Sequence, residues 1–317
     1  MKIVFLGTPE FAVATLNAIC QAGHEVAAVV TTPDKPAGRG LQTQYSAVKN
    51  YALEHQLPIL QPENLKAPDF IAQLSALQAE LFVVVAFRML PEIVLTMPPK
   101  GTFTVPASLL PSYRGAAPIQ RAHMNGENKS GVTAFFLNKG MDTGDIIDAT
   151  EVIINEADNA GDLYERLMME GGKLAVKTIA AIENGTITAI QQPQIDPTQL
   201  KTAPKILKED MHVDWNRPAC KIYNQIRGLA PYPAAFTVLK NNKKESFNFK
   251  IFKAKICPEK ATLQAGSMEV EMHKNIKIHT KDFKIELLEV QFQGKKRMAC
   301  RDFLQGFNFE NFTEFAF

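Results

Sequence analysis

A chain of 317 residues, 46% hydrophobic and 21% charged, is long enough for two globular domains with ordinary cores, and nothing in it is repetitive or of low complexity. Its longest apolar run of note, Leu81 to Phe87, has seven residues and stops at Arg88, which excludes a membrane-spanning helix there. The net charge of +2 hides an asymmetry: residues 1–203 carry 15 Lys and Arg against 20 Asp and Glu, whereas residues 204–317 carry 20 against 13. A basic second part suits a nucleic-acid partner or, more plainly, a solvated lysine-rich surface.

The chain opens on a short apolar strand, Lys2 to Leu6, and a turn at Gly7-Thr8-Pro9. Phe11, Ala14, Leu16 and Ile19 then recur at helical spacing until Gly23. Thr8-Pro9-Glu10 interrupts the apolar opening too early for a signal peptide. Cys20, Cys220, Cys257 and Cys300 form no C-x-x-C pair, so neither a zinc site nor a disulfide framework is expected, and a reducing cytoplasm fits. Val26 to Thr31 completes a βαβ unit without G-x-G-x-x-G, which gives a dinucleotide site no support. Thr32 to Gly40, with two prolines and two glycines, is longer than a turn requires and reads as a functional loop. Tyr45 to Gln56 and Ala67 to Gln78 read as helices around an extended stretch, and Leu81 to Ala86 as a central parallel strand buried on both faces.

Residues 101–121, GTFTVPASLLPSYRGAAPIQR, are too particular for a generic strand and loop. A strand from Thr102 to Val105 leads into Ser108-Leu109-Leu110-Pro111. Gly115 and Pro118 then set a turn before a helix from Ala116 to Met124. Such a loop, at the carboxyl end of a strand, is where an open α/β sheet binds its ligand. His123 follows on that helix and is expected at the surface. Gly131 to Leu137 reads as a strand and Asp142-Thr143-Gly144-Asp145, taken alone, as an ordinary turn. Ile146 to Ile154 reads as an edge strand, and Ala160 to Ile182 as a long helix stopped at Asn184-Gly185. The polar, proline-bearing stretch from Ala189 to Pro204 reads as a linker. Beyond it come a helix from Pro218 to Ile226 with Gly228 just past its end, a rigid turn at Ala230 to Ala234, and short strands at 247–255, 266–272, 276–280 and 284–291. That is the pattern of a small antiparallel barrel.

SLLPSYRGAAPIQ resembles the signature of the folate-dependent formyltransferases, and Met141-Asp142-Thr143-Gly144-Asp145 is similar to their second motif. Gly294 to Met298 followed by Asp302 to Gly306 resembles the C-terminal domain of those members that act on charged tRNA, so the likeness covers nearly the whole chain. It implies a Rossmann-like α/β formyltransferase domain with a mostly parallel sheet at 1–189, a linker at 190–207, and an OB-like β-barrel that binds tRNA at 208–317. It also implies a cytoplasmic monomer that moves a formyl group from 10-formyltetrahydrofolate to the amino group of initiator methionyl-tRNA, without a metal.

Ahead of SLLP the family carries Asn-x-His; here Thr104 and Pro106 stand there, with Asp142 as the third member of the catalytic trio. The resemblance makes Ser108, Leu109, Leu110 and Pro111, together with Phe87, Arg88 and Leu90, the expected folate contacts. Arg39 is expected to meet the acceptor end of the tRNA, and Lys295, Lys296 and Arg297 to contact it elsewhere. Proline has neither a polar side-chain atom nor an N–H, so the acid–base group is missing from its place. Two alternatives remain open at this point: a hydrolase or transferase using another formyl acceptor, and a folate- and tRNA-binding protein without turnover.

Overall fold

In the computed structural model of the protein, residues 1–37, 42–139, 143–193, 195–196, 198–271, 274–307 and 312–316 are described. The chain folds as two compact units. Met1–Arg114, Ser130–Val152 and Glu165–Lys201 make the first; Gly115–Lys129, Ile153–Tyr164 and Thr202–Phe317 make the second. Stretches from the middle of the chain thus fold with its basic end.

Short apolar, β-branched runs supply the strands of the first unit: β1 (Lys2–Gly7), β2 (Glu25–Val30), β3 (Ile59–Leu60), β4 (Leu81–Val85), β5 (Thr102–Thr104), β6 (Lys129–Phe136) and β7 (Ile146–Ile153). They form one sheet in the order β7-β6-β5-β4-β1-β2-β3. The pairs β1–β2, β1–β4, β2–β3 and β4–β5 are parallel, and β5–β6 is antiparallel. The mostly parallel sheet read from the sequence is there, with β7 at its edge. Every residue of β4 is buried because both faces are covered. Val4, Leu6, Val30, Phe82 and Val84 pack with Phe70 and Leu74 of the helix Pro68–Ala76. Alternation turns Ile3 and Phe5 to the opposite face. The chain leaves β1 toward β2 and β3, then returns to β4 on the other side of β1. The carboxyl ends of β1 and β4 therefore flank the switch point where such sheets bind ligands.

In the second unit, β8 (Ala235–Asn241), β9 (Ser246–Lys260), β10 (Met268–Glu271), β11 (Asn275–His279), β12 (Phe283–Phe292) and β13 (Phe312–Ala316) lie in the order β10-β11-β12-β9-β8-β13. All of these pairs are antiparallel. The long β9 shifts register against β12 after Ile251, after Lys253 and after Ile256, and such bulges bend a sheet into the half-barrel that the strand pattern predicts. Its core takes Ile222, Ile226 and Leu229 from the helix Ala219–Leu229 against Trp215, Phe249, Ile251 and Leu287. The buried indole keeps a partner, donating to Thr237 Oγ1 at 3.2 Å.

Three features differ from the reading of the sequence. β8, β13 and the helix Cys300–Gln305 are additional elements. Gly228 lies inside its helix rather than past the end, and its lack of a Cβ makes room for a neighbour, since a Cβ there would come within 2.9 Å of Met124 Cγ and 3.0 Å of His123 Cβ. His123 is consequently at 0% exposure, not at the surface: the helix Pro118–Asn125 is covered where Gly228 lets its neighbour approach.

Candidate active site

β5 ends on Thr104, half-buried, parallel-paired with Val84 of β4 and facing Phe135 of β6. Its hydroxyl is a hydrogen-bonding group at the sheet's ligand end. Two residues on, half-buried Pro106 offers only its carbonyl, which accepts from the Thr133 amide at 3.3 Å. The following loop is stapled to β6 by one buried hydroxyl. Thr133 Oγ1 donates to the Ser108 carbonyl at 2.7 Å and accepts from the Leu110 amide at 3.1 Å. Ser108 is buried; Leu109, Leu110 and Pro111 are half-buried. Thr133 is not singled out by the sequence, where it is one hydroxyl within the apolar run Val132 to Phe136.

Asp142 lies outside the described residues. Just after it, the Thr143 hydroxyl donates to Asn138 Oδ1 at 2.9 Å, and the Phe136 amide donates to the Asp145 carbonyl at 3.0 Å. Gly144 presses so closely on β6 that any Cβ would collide with the Phe136 carbonyl oxygen, so this position tolerates only glycine. Phe135 faces Thr104, and Phe136 carries Gly144. Two consecutive residues of one strand thus gather the end of β5 and the loop that follows Asp142.

At the exit of β4, Ala86 adopts φ 47°, a left-handed conformation that costs a residue with a Cβ and that collects at ligand sites. Phe87 and Leu90 are half-buried and pack on the cluster containing Val4 and Phe82, while Met89 between them is 72% exposed. Arg88 is committed elsewhere: Nη1 donates to the Glu63 carbonyl at 2.8 Å, Nη2 to that of Pro62, and the guanidinium lies 5.6 Å from the Phe87 ring centre. Its geometry is that of a clasp between the loops after β3 and β4.

The long connection after β2 is a two-stranded ribbon, Lys35–Ala37 paired with Gln42–Gln44. Gly38, Arg39 and Gly40 lie outside the described residues. The ribbon's foot is pinned by Asp34, which accepts from Lys49 Nζ and, at 2.8 Å, from Gln61 Nε2. These hydrogen bonds, led by Lys49, hold the Asp34 carboxyl below its ordinary range. Thr31 and Ser46 hydroxyls meet at 2.8 Å, and Ser46 caps the helix Ala47–Glu54 by accepting the Lys49 amide at 3.0 Å.

In the second unit Lys295 and Lys296 are exposed. Arg297 is exposed too, but its fork is bidentate on Glu289, at 2.7 Å from both oxygens, and its guanidinium lies 4.4 Å from the Phe252 ring centre. Arg121, from the end of the signature, is spent in the same way. It meets both Asp210 carboxylate oxygens at 3.0 and 2.7 Å and the carbonyls of Pro204 and Lys205 at 3.1 Å. Among the described residues no three His, Cys, Asp or Glu side chains gather as a metal site.

Residues 1–179 match the formyl transferase family, and residues 205–308 match the formyl transferase C-terminal domain. The chain is 48% identical over 312 residues to the methionyl-tRNA formyltransferase of Flavobacterium johnsoniae, covering 98% of each. It is 45% identical over 309 residues to that of Bacteroides fragilis, covering 97% of this chain and 95% of the relative. Among solved structures, an N-formyltransferase from Helicobacter canadensis, in complex with folinic acid and dTDP-3-aminofucose, superposes with a TM-score of 0.63 at 24% identity. That alignment spans 90% of this chain and 98% of the other, and is a likeness of fold.

Proposed function

Because the chain belongs to the formyl transferase family, we propose that it moves a formyl group from 10-formyltetrahydrofolate to the amino group of methionyl-initiator-tRNA, the modification that prepares this tRNA for translation initiation. The observation that carries this reading is the 48% identity to a methionyl-tRNA formyltransferase across 98% of both chains, the basic C-terminal part included. The setting is the cytoplasm, and the acting species a monomer.

Formyl transfer needs a donor for the oxyanion on the formyl carbon, a base for the attacking ammonium and an acid for the leaving nitrogen. In this proposal Thr104 offers its hydroxyl to the formyl oxygen, and Asp142 orders the water that takes the proton from the attacking ammonium and delivers one to the leaving nitrogen. Pro106 occupies the place of the acid–base residue and supplies no proton. Residues Ser108 to Pro111 shape the folate pocket with Phe87 and Leu90, while Arg88 holds its wall. Arg39 approaches the acceptor end of the tRNA, and Lys295, Lys296 and Arg297 face its backbone. The division of labour is then a catalytic domain at 1–189, a linker at 190–207 and a tRNA-binding domain at 208–317.

A second reading is favoured by one observation: Pro106 leaves the place of the acid–base residue without a side chain that can carry a proton. In it the chain binds folate and tRNA without turnover. The deciding experiment mixes the full-length protein, in excess, with 10-formyltetrahydrofolate and charged initiator tRNA, and follows formylmethionyl-tRNA over time. Transfer above the protein-free rate supports the enzyme; saturable binding of both ligands with no transfer supports the binder.

A further inference from the structure

Gln192 lies in the polar stretch that reads as linker, yet only 7% of it is exposed. Both ends of its amide are used. Oε1 accepts from Arg114 Nη2 at 2.6 Å, and Nε2 donates to the Gly144 carbonyl at 2.8 Å. These partners fix the amide's orientation, since a guanidinium only donates and a carbonyl only accepts. Backbone pairing holds it in place: Ile146 and Ile190 exchange both amide–carbonyl bonds at 2.8 Å. Arg114 Nε is buried with no acceptor among the described residues, so the bond to Gln192 is what orients this guanidinium there.

We infer that Gln192 is a positioning residue for formyl transfer, setting the loop that follows Asp142 against Arg114; the inference rests on the reaction proposed above. Gln192 touches Gly144, two residues beyond Asp142 in the chain, and Arg114, which opens the short strand Arg114–Gly115 three residues after Pro111. An uncharged amide answers both partners at once. Glutamate would keep the acceptor for Arg114 but set an oxygen against the Gly144 carbonyl. Alanine would leave a half-buried guanidinium and the carbonyl of Gly144 both unmatched. A catalytic loop displaced by about 1 Å loses about 100-fold in rate.

The test compares Gln192→Glu and Gln192→Ala with the parent in the full-length protein, by single-turnover formylation of charged initiator tRNA and by amide hydrogen exchange. For Gln192→Glu the transfer step should slow by about 10- to 100-fold while the apparent affinities for tRNA and formyl donor change by less than about threefold. Amides of 143–146 should exchange faster, and those of 113–116 should not. Gln192→Ala should loosen both segments together. The inference is overturned by a Gln192→Glu variant that transfers at the parent's rate, or by one whose affinities fall as far as its rate. If the parent itself transfers nothing, the proposed reaction fails and Gln192 is judged on exchange alone. Faster exchange at 143–146 in Gln192→Glu then upholds its positioning role, and unchanged exchange refutes it.

Discussion

The two units differ in the charge they leave uncommitted, although the second also spends Arg121 on Asp210 and Arg297 on Glu289. At the ligand end of the first unit's sheet the charged side chains are committed to the scaffold: Arg88 to the Pro62 and Glu63 carbonyls, Arg114 to Gln192, Asp34 to Lys49 and Gln61. In the second unit 204–317 carry 20 basic against 13 acidic residues, and Lys295 and Lys296 stand exposed. Group transfer needs atoms placed to a fraction of an ångström, which satisfied polar networks provide. Capture of a polyanion needs uncommitted charge and little geometry. The first unit therefore keeps its scaffolding, and the proposal lays any weakness of the chemistry on Thr104 and Pro106.

The sharpest way to break that contrast is to restore the chemistry on the existing scaffold. Thr104→Asn with Pro106→His should raise single-turnover formylation by at least about 1,000-fold, from an oxyanion donor and an acid–base group acting as a unit. Each change alone should recover far less. Asp142→Asn in the doubly changed protein should remove the gain, since an imidazole without its carboxylate loses both orientation and charge stabilisation. A parent that already transfers at the rate of the double variant would show that the site works by other groups.

The second unit's side of the contrast is tested by salt. If about four phosphates are neutralised, affinity of the full-length protein for tRNA should fall about 100-fold between 50 and 200 mM salt. Lys295→Ala with Lys296→Ala should reduce the slope of log affinity against log salt by about one to two. Arg297→Ala should change it less, because Glu289 already neutralises that guanidinium. Equal slopes for the lysine pair and the parent would move the tRNA contact away from this turn.

How much of this the sequence disclosed depended on the range of the interaction. The mostly parallel sheet was legible because β1, β2 and β4 are local apolar runs, and the barrel because β9, β11 and β12 are bounded by turns. β8 was hidden directly behind the rigid Ala230 to Ala234 turn, and β13 pairs with β8 across some seventy positions of sequence. Within the site, Thr104 and the loop after Asp142 could be related only through resemblance; their common seat on Phe135 and Phe136 is a tertiary fact. Gln192 and Thr133 carried no local signal, since an amide in a polar stretch and a hydroxyl in a strand become informative only once their partners are known. His123 went astray because its burial depends on Gly228 of another helix.

The smallest expected effect concerns Arg121, which ties the signature helix Pro118–Asn125 to residues 204–210 within the second unit. Hydrogen bonds from Arg121, chiefly, hold the Asp210 carboxyl below its ordinary range. A carboxyl with a depressed folded-state pKa adds stability that is complete above its unfolded value, about 3.9, and is lost as the pH falls through the lower folded value. Arg121→Ala should therefore cost about 1–2 kcal/mol at neutral pH, since the side chain is partly solvent-screened and two backbone carbonyls lose a charged donor. In a cycle with Asp210→Asn, thermal unfolding should give a coupling of about 1 kcal/mol at pH 7 that fades as the pH falls through the depressed folded value, below which Asp210 is neutral with or without Arg121. A coupling that persisted undiminished below that value would mean that the pair is joined by hydrogen bonds that do not need the carboxylate's charge, since the carbonyls of Pro204 and Lys205 are present throughout the cycle and cancel.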